Sequence, residues 1–189
     1  MKVLGILGSP RKGGNSELLL DKVLSGARSK GYDTEKLALG ELKFSPCTEC
    51  GGCDETGVCV IEDDLQPVYQ KLDQARAVII ASPIFFGSLP AQVKAMIDRY
   101  QCRWVRKFVL GKQGRPFPQE GYLILVSGAN RDKFFKNAES IVKNFFAVLN
   151  IKFKGYLYCP GIDEKGKVLE HPDYLNKAYE LGKKIIARR

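Results

Sequence analysis

The sequence predicts an α/β fold in which a parallel β-sheet is covered by helices on both faces. Short, nearly continuous apolar runs recur along the chain, which is typical of strands that are buried on both sides. A helical pattern follows each of these runs, and such alternation of strand and helix favours a parallel sheet. The chain of 189 residues is also long enough to bury a sizeable core as one domain.

The first predicted strand is the run KVLGIL at 2–7. It is followed by a helical pattern at 15–30, which Gly31 is placed to end. The sequence TEKLAL at 34–39 predicts the second strand. A polar segment at 40–62 comes next, and loops of that length usually carry function.

The second half of the sheet is predicted from the same kinds of pattern. A helix is expected at 63–75, with Asp63 or Asp64 as its N-cap and Pro67 in its first turn. The run AVIIAS at 77–82 predicts the third strand. The remaining elements are a helix at 89–104, a long loop at 105–120, a strand at 121–127, a helix at 132–150, a strand at 151–159 and a closing helix at 172–189.

The loop GSPRKGGNS at 8–16 joins the first strand to the start of a helix. This geometry directs backbone N–H groups and the positive end of the helix dipole toward an anion, so the loop predicts a phosphate site. The charged and polar residues that would contribute are Ser9, Arg11, Lys12, Asn15 and Ser16. Neither the magnesium-nucleotide nor the dinucleotide glycine pattern fits. The alternative is a solvent-exposed loop whose glycines only turn the chain.

Two further loops follow predicted strands. SPIFFGSLP at 82–90 offers an aromatic pair and Gly87, which suit a flat conjugated ring. The alternative is a hydrophobic plug packed under a neighbouring loop. SGANR at 127–131 offers small residues with backbone donors. Ligands of parallel sheets bind beyond the carboxyl ends of the strands, where these loops are expected to meet. A phosphate loop and a ring-accepting loop at one edge suit FMN.

With these motifs the chain resembles the flavodoxin-like NAD(P)H-dependent FMN reductase superfamily. The resemblance rests on GSPRKGGNS, on ASPIFFGSLPAQVKAMIDR and on the order of elements, and it covers nearly the whole chain. It implies a flavodoxin-like three-layer sandwich with a five-stranded parallel sheet of order 2-1-3-4-5. The chain would be one FMN-binding domain over 1–189, with a cysteine-rich loop at about 44–62.

The resemblance also implies which residues bind FMN. The phosphate would be held by Ser9, Arg11, Asn15 and Ser16, the flavin would be lined by Pro83, Ile84, Phe85, Phe86 and Gly87, and Gly128 and Asn130 would lie nearby. Phe85 stands where relatives often have Tyr, so the hydrogen bond of that hydroxyl is missing here. No general acid or base is predicted.

Four cysteines lie within the stretch CTECGGCDETGVC, with the spacing C-x2-C-x2-C-x5-C; they are Cys47, Cys50, Cys53 and Cys59. Structural zinc usually takes two ligand pairs that are separated by a longer span. The nearest known spacing is that of ferredoxins, which hold iron–sulfur clusters, although here five residues precede the last cysteine and valine follows it. Zinc, and thiols that are simply buried or paired as disulfides, remain the alternatives.

The spacing and position of this motif resemble the iron–sulfur flavoproteins, a narrower branch of the same superfamily. That resemblance implies a [4Fe–4S] cluster on the four cysteines, in a homodimer or homotetramer where the cluster of one subunit approaches the flavin of its neighbour. The electron donor would be a ferredoxin-like carrier or NAD(P)H, and the acceptor oxygen, peroxide or a quinone-like molecule. A cluster-free NAD(P)H-dependent FMN or quinone reductase and a zinc-stabilised flavin-binding module are the alternatives.

The composition limits partners and location. The formal charge of +9, from 30 Lys and Arg against 21 Asp and Glu, is scattered along the chain. The preferred interpretation of this charge is a solvated surface, and the next is a surface that binds an acidic electron carrier. Nucleic acid comes last, because no recognition motif is visible. Neither a membrane-spanning run nor a signal-peptide pattern is found, so we expect a cytoplasmic protein. In that reducing compartment the cysteines are expected to be metal ligands or catalytic groups rather than structural disulfides. Cys102 and Cys159 are expected to be buried as small hydrophobic residues.

Overall fold

The computed structural model describes residues 1–112 and 117–185 and contains a five-stranded parallel sheet. The strands are β1 Lys2–Leu7, β2 Asp33–Ala38, β3 Ala77–Pro83, β4 Gln119–Ser127 and β5 Ile151–Pro160. Their order is β2-β1-β3-β4-β5, and all four neighbouring pairs are parallel. This is the flavodoxin-like order, so the predicted fold class is confirmed.

Helices cover both faces of the sheet. They are α1 Asn15–Arg28, α2 Gln66–Gln74, α3 Ala91–Arg99, α4 Gln101–Trp104, α5 Asp132–Val148 and α6 Pro172–Lys184. Two 3-10 turns, at Leu39–Glu41 and Lys167–Glu170, and a π-helical turn at Val105–Val109 complete the elements of the described residues. The closing helix was predicted to reach residue 189, and a loop was predicted at 105–120. Residues 186–189 of the first prediction and 113–116 of the second lie outside the described residues.

Alternating side chains of the central strands feed two separate apolar cores, because successive residues of a strand point to opposite faces. Leu4 and Ile6 of β1 pack in the core on the side of α2, α3 and α5. Val3 and Leu7 of the same strand pack in the core on the side of α1 and α6. The nearly unbroken apolar runs of the sequence follow from this burial on both faces.

Two predictions about the helices were wrong in detail. The helix predicted at 89–104 is interrupted at Tyr100, and the chain then continues through α4 into the π-helical turn, where a loop had been predicted. Neither aspartate caps α2, which begins after Leu65 without a side-chain cap. Instead, the Asp63 carboxylate pairs with the Arg99 guanidinium at 2.6 Å. No sequence pattern near α2 signals this long-range ion pair.

Across residues 1–112 and 117–185, every helix is too short or too polar to traverse a lipid bilayer.

Candidate functional site

A pocket of about 170 Å³ lies at the carboxyl ends of the strands. It is lined by eight of the residues predicted to bind a cofactor, namely Ser9, Arg11, Asn15, Ser16, Pro83, Ile84, Phe85 and Gly128. The structure therefore brings the phosphate loop, the ring loop and the loop after β4 together. The other four predicted residues, Lys12, Phe86, Gly87 and Asn130, are not part of the pocket wall.

The start of α1 forms a cradle of backbone donors. Gly14 precedes the helix in an extended conformation, and the N–H groups of Asn15 and Ser16 point out of the first turn without intrahelical partners. A side chain at position 14 would not fit, since its Cβ would lie 2.9 Å from the Arg11 carbonyl oxygen. The Arg11 N–H donates to Ser9 Oγ at 3.2 Å, which tightens the turn. This arrangement fits a phosphate group.

Charged side chains around the cradle are distributed unevenly. Lys12 is exposed and pairs with Glu41 at 2.9 Å, so its charge is directed away from the pocket. Glu17 accepts a hydrogen bond from the Gly13 N–H at 2.7 Å. Hydrogen bonding to Lys36 lowers the Glu17 pKa. Burial acts in the opposite direction, and the hydrogen bond from the Gly13 N–H lowers the pKa further. Glu17 therefore stays ionised at neutral pH and orders the loop.

Asn15 is engaged on both sides of its amide group. Its Nδ2 donates to the Glu164 carbonyl at 2.8 Å, and its Oδ1 accepts from the Val168 N–H at 3.1 Å. The side chain thus ties the start of α1 to the segment after β5. Sequence reasoning missed this segment, which places Ile162 and Asp163 in the pocket wall. The available signal was its position, because it follows the carboxyl end of a strand as the other three loops do.

The ring loop is a tight turn. Phe85 and Ser88 exchange two backbone hydrogen bonds of 2.9 Å, while Phe86 and Gly87 between them have φ values of 50° and 76°. Two successive left-handed residues are typical of a type I′ turn. Asn137 of α5 fixes the turn by donating to the Gly87 carbonyl at 2.9 Å. As a result, Phe85 faces the pocket while Phe86 projects into solvent.

The predicted metal ligands share a second cavity of about 480 Å³, lined by Cys47, Cys50, Cys53 and Cys59. Cys102 and Arg99 also belong to its wall. All six cysteines are free thiols. Within the described ranges, however, no group of three or more His, Cys, Asp or Glu side chains is arranged so that it could hold a metal ion. The structure thus gathers the four thiols around one space without pointing them at one centre.

Three residues of the cysteine loop have left-handed backbone conformations, which let the chain turn tightly around an enclosed group. Glu49, Gly51 and Gly57 have φ values of 54°, 73° and 72°. Position 57 must be glycine-sized, since a Cβ there would meet Arg106 Cβ at 2.5 Å. The Glu49 N–H donates to Cys47 Sγ at 3.4 Å, the kind of bond that supports a sulfur ligand of iron.

The chemistry of the loop fits a soft metal centre. Burial raises the Cys53 pKa, and the nearby negative charge of Asp54 adds to the effect. Thiolates that crowd together in this way are stabilised by a positively charged partner, and thiolate ligands select zinc, copper(I) or iron–sulfur clusters. The donor set therefore fits such a group in its chemistry, although the thiols of the described residues do not converge on a single metal ion.

The two sites are separate within the chain, because the pocket and the cysteine cavity have no wall residue in common. A groove of about 630 Å³ lies along α3 and has both Pro10 of the phosphate loop and Pro46 of the cysteine loop in its wall. The cysteine loop therefore lies on the same side of the molecule as the phosphate loop.

Comparisons with known proteins agree with this geometry. A relative from Archaeoglobus fulgidus named iron–sulfur flavoprotein is 32% identical over 98% of this chain and 79% of its own length. An iron–sulfur flavoprotein from Methanosarcina thermophila is 40% identical, but the match covers only 52% of each chain, so this chain spans about half of that relative. A solved flavone reductase superposes with a TM-score of 0.76 at 18% identity, over 98% of this chain and 62% of its own.

A family model matches the part of the chain that contains the cradle at the start of α1, the turn at Phe86 and strands β1 to β4. That model is described as NADPH-dependent FMN reductase, and it matches residues 1–152. Since this is well over half of the sequence, the chain belongs to the NADPH-dependent FMN reductase family, a family of flavoprotein oxidoreductases.

Proposed function

We propose that the protein is an iron–sulfur flavoprotein that connects a ferredoxin-like one-electron donor, or NAD(P)H, with a two-electron acceptor such as oxygen, peroxide or a quinone-like molecule. A [4Fe–4S] cluster would supply one-electron exchange and FMN exchange of one or two electrons. One observation carries the proposal: Cys47, Cys50, Cys53 and Cys59 all line one cavity, in a chain whose strand edge forms a separate phosphate-accepting pocket.

The residues of the pocket have distinct proposed roles. The backbone N–H groups at the start of α1, together with Ser9, Ser16 and the charge of Arg11, would bind the phosphate. Arg11 is held in place by its bond to the Asp163 carbonyl at 3.1 Å. The apolar wall formed by Pro83, Ile84 and Phe85 would exclude water from one face of the ring. We assign no general acid or base.

We also propose that residues 1–189 act as one domain, that the protein forms a homodimer or homotetramer, and that it works in the cytoplasm. A subunit partner would explain how two sites with separate walls exchange electrons, since the groove between them is open to solvent at α3. The scattered positive charge favours an acidic protein as the one-electron donor.

A second candidate is a cluster-free NAD(P)H-dependent FMN or quinone reductase. It is favoured by the arrangement of the thiols, because within residues 1–112 and 117–185 no three possible ligand side chains form a metal-holding group. A third candidate is a zinc-stabilised flavin-binding module. Four thiols that line one cavity would also suit tetrahedral zinc.

Anaerobic purification followed by iron, acid-labile sulfide, zinc and flavin assays separates the three candidates. About four irons and four sulfides for each FMN are expected if the chain carries the cubane cluster. Flavin without metal would establish the cluster-free reductase instead, and one zinc for each chain would establish the third candidate. The same sample, mixed with reduced ferredoxin or with NADPH, identifies the donor by the rate at which flavin absorbance is lost.

A further inference from the structure

Arg99, the last residue of α3, forms part of the wall of the cysteine cavity. Its side chain is 0% exposed although it carries a positive charge. A buried charge is costly unless it is paired and its donors are satisfied. Each N–H donor of the Arg99 guanidinium is therefore expected to have an acceptor.

A guanidinium group has five N–H donors, and four of those of Arg99 have oxygen acceptors. Nη1 donates to Asp63 Oδ2 at 2.6 Å and to the Ser45 carbonyl at 2.9 Å. Nη2 donates to the Ile61 carbonyl at 3.1 Å and to Asp63 Oδ1 at 3.3 Å. Ser45 precedes the first cysteine of the loop and Ile61 follows the last. These four bonds therefore close the neck of the cysteine loop.

The fifth donor, Arg99 Nε–H, is different. The atom is buried and has no hydrogen-bond partner in the described part of the chain. The Cys59 side chain lies beside the same guanidinium. Burial alone would lower the Arg99 pKa, yet the hydrogen-bonded Asp63 carboxylate and the proximity of the Cys59 side chain raise it. An unused donor thus remains on a side chain that lines a cavity with five cysteines, and the other charged residues of that wall are Glu49 and Asp54.

We propose that Arg99 is a positioning residue for the sulfur centre, in which four N–H groups close the neck of the loop and Nε–H donates to the Cys59 thiolate. This inference rests on the proposed function, because it takes the thiolates to be ligands of an iron–sulfur cluster. Hydrogen bonds to cluster sulfurs set the reduction potential, and a nearby cation favours the form that has gained an electron. Arg99 is therefore expected to raise the potential of the cluster.

The test compares the full-length Arg99→Gln, Arg99→Lys and Arg103→Gln proteins with the wild type, all purified without air. Arg103 is a matched control, because it also pairs with a carboxylate, Asp73, and also has a buried Nε without a hydrogen-bond partner among the described residues. Unlike Arg99, it is not part of the cavity wall. The readouts are iron, sulfide and FMN content and the midpoint potential of the cluster, followed by electron paramagnetic resonance.

For Arg99→Gln we expect a tenfold lower ratio of reduced to oxidised cluster at a fixed potential, which is about 59 mV for a one-electron couple. Arg99→Lys keeps the positive charge but lacks the planar guanidinium with its paired Nη donors and its Nε–H. We therefore expect a lower iron content than in the wild type and a smaller shift of the midpoint potential than in Arg99→Gln. The potential of the lysine variant supplies the measurement if the glutamine variant retains no iron. For Arg103→Gln we expect wild-type iron and potential.

Iron-free wild-type protein would overturn the proposed function and the role of Arg99 with it. A loaded wild type whose Arg99 variants keep full iron and an unchanged potential would overturn the role of Arg99 alone. Loss of iron from both Arg99 variants with FMN retained, while Arg103→Gln keeps both, would support the closing of the neck. Equal losses in all three variants would refute it, since any buried arginine would then have the same effect.

Discussion

At the scale of single residues, Asn15 shows how one side chain of the pocket wall can join two distant segments of the chain. Both polar ends of its amide are bonded to backbone groups of the segment after β5. That segment carries Asp163, whose carbonyl in turn holds Arg11. The phosphate side of the pocket therefore depends on Asn15 through two successive contacts.

Replacement of Asn15 by Ala is expected to lower the free energy of unfolding by about 1–3 kcal/mol, because the Glu164 carbonyl and the Val168 N–H lose their partner. FMN affinity should fall by about tenfold, which corresponds to about 1.4 kcal/mol, since the segment that holds Arg11 is released. Urea denaturation and titration of flavin fluorescence provide the two measurements.

Asn137→Ala is the control for this change, since Asn137 donates one hydrogen bond to the Gly87 carbonyl on the ring loop. It should cost about 1 kcal/mol of stability, the value of one ordinary hydrogen bond. An Asn15→Ala protein that is destabilised no more than this and binds FMN like the wild type would show that Asn15 does not organise the pocket.

The sequence could identify most of these residues but not all of their roles. Ser9, Arg11 and Ser16 were predicted because a glycine-rich turn before a helix has a local signature. The role of Asn15 in holding phosphate stays a prediction, and the bonds of its amide to Glu164 and Val168 were not predicted. Asp63 is a similar case, because it was predicted as a helix cap and instead pairs with Arg99, which lies far away in the sequence. Long-range partners leave no mark on a local pattern.

At the scale of elements, α1 and α6 approach each other through two glycines. A Cβ at Gly182 would lie 2.0 Å from the Val23 carbonyl oxygen, and one at Gly26 would lie 2.1 Å from the Tyr179 carbonyl oxygen. The obstructing atoms belong to backbone, so the helices would have to separate. This contact closes the core on one face of the sheet and keeps α1 in position below the phosphate cradle.

Gly182→Ala is therefore expected to destabilise the protein by about 1–3 kcal/mol, which is the usual cost of overpacking. The better helix propensity of alanine, about 1 kcal/mol, would offset only part of the strain. Gly155→Ala is the matched control, because no heavy atom lies within 4 Å of a Cβ built there. If guanidinium denaturation gives both variants equal stability, the close approach of the helices is not a constraint.

The strands were predicted almost to the residue. For β1, β3 and β4 the reason is that a parallel strand buried on both faces is a continuous apolar run. Helix ends were less predictable. The break at Tyr100 and the π-helical turn after α4 occur where the chain packs against the cysteine loop, with Gly57 directly over Arg106. That contact joins segments distant in sequence, so periodicity within the helix could not reveal it.

At the scale of the whole molecule, two cofactor sites are proposed on one sheet edge and its adjoining loop. The pocket is built by loops that follow β1, β3, β4 and β5, whereas the cysteine cavity is built by the loop between β2 and α2 together with α3, α4 and the π-helical turn. The walls share no residue, so each site should be able to lose its ligand without the other. This independence is the property that a chain with two electron carriers needs if each is to be tuned separately.

Cys50→Ala should abolish the cluster but leave FMN bound. Cys50 is exposed and lines the cysteine cavity but not the pocket, so its removal takes one of the four proposed ligands and leaves the pocket at the strand ends intact. Cys159→Ala is the control, because that thiol is buried in the core beside α1 and α6 and belongs to neither the pocket wall nor the wall of the cysteine cavity. Iron, sulfide and FMN should be measured on both variants after purification without air. If Cys50→Ala loses flavin and iron together while Cys159→Ala keeps both, the two sites are coupled through the groove along α3, and the separate walls do not make them independent.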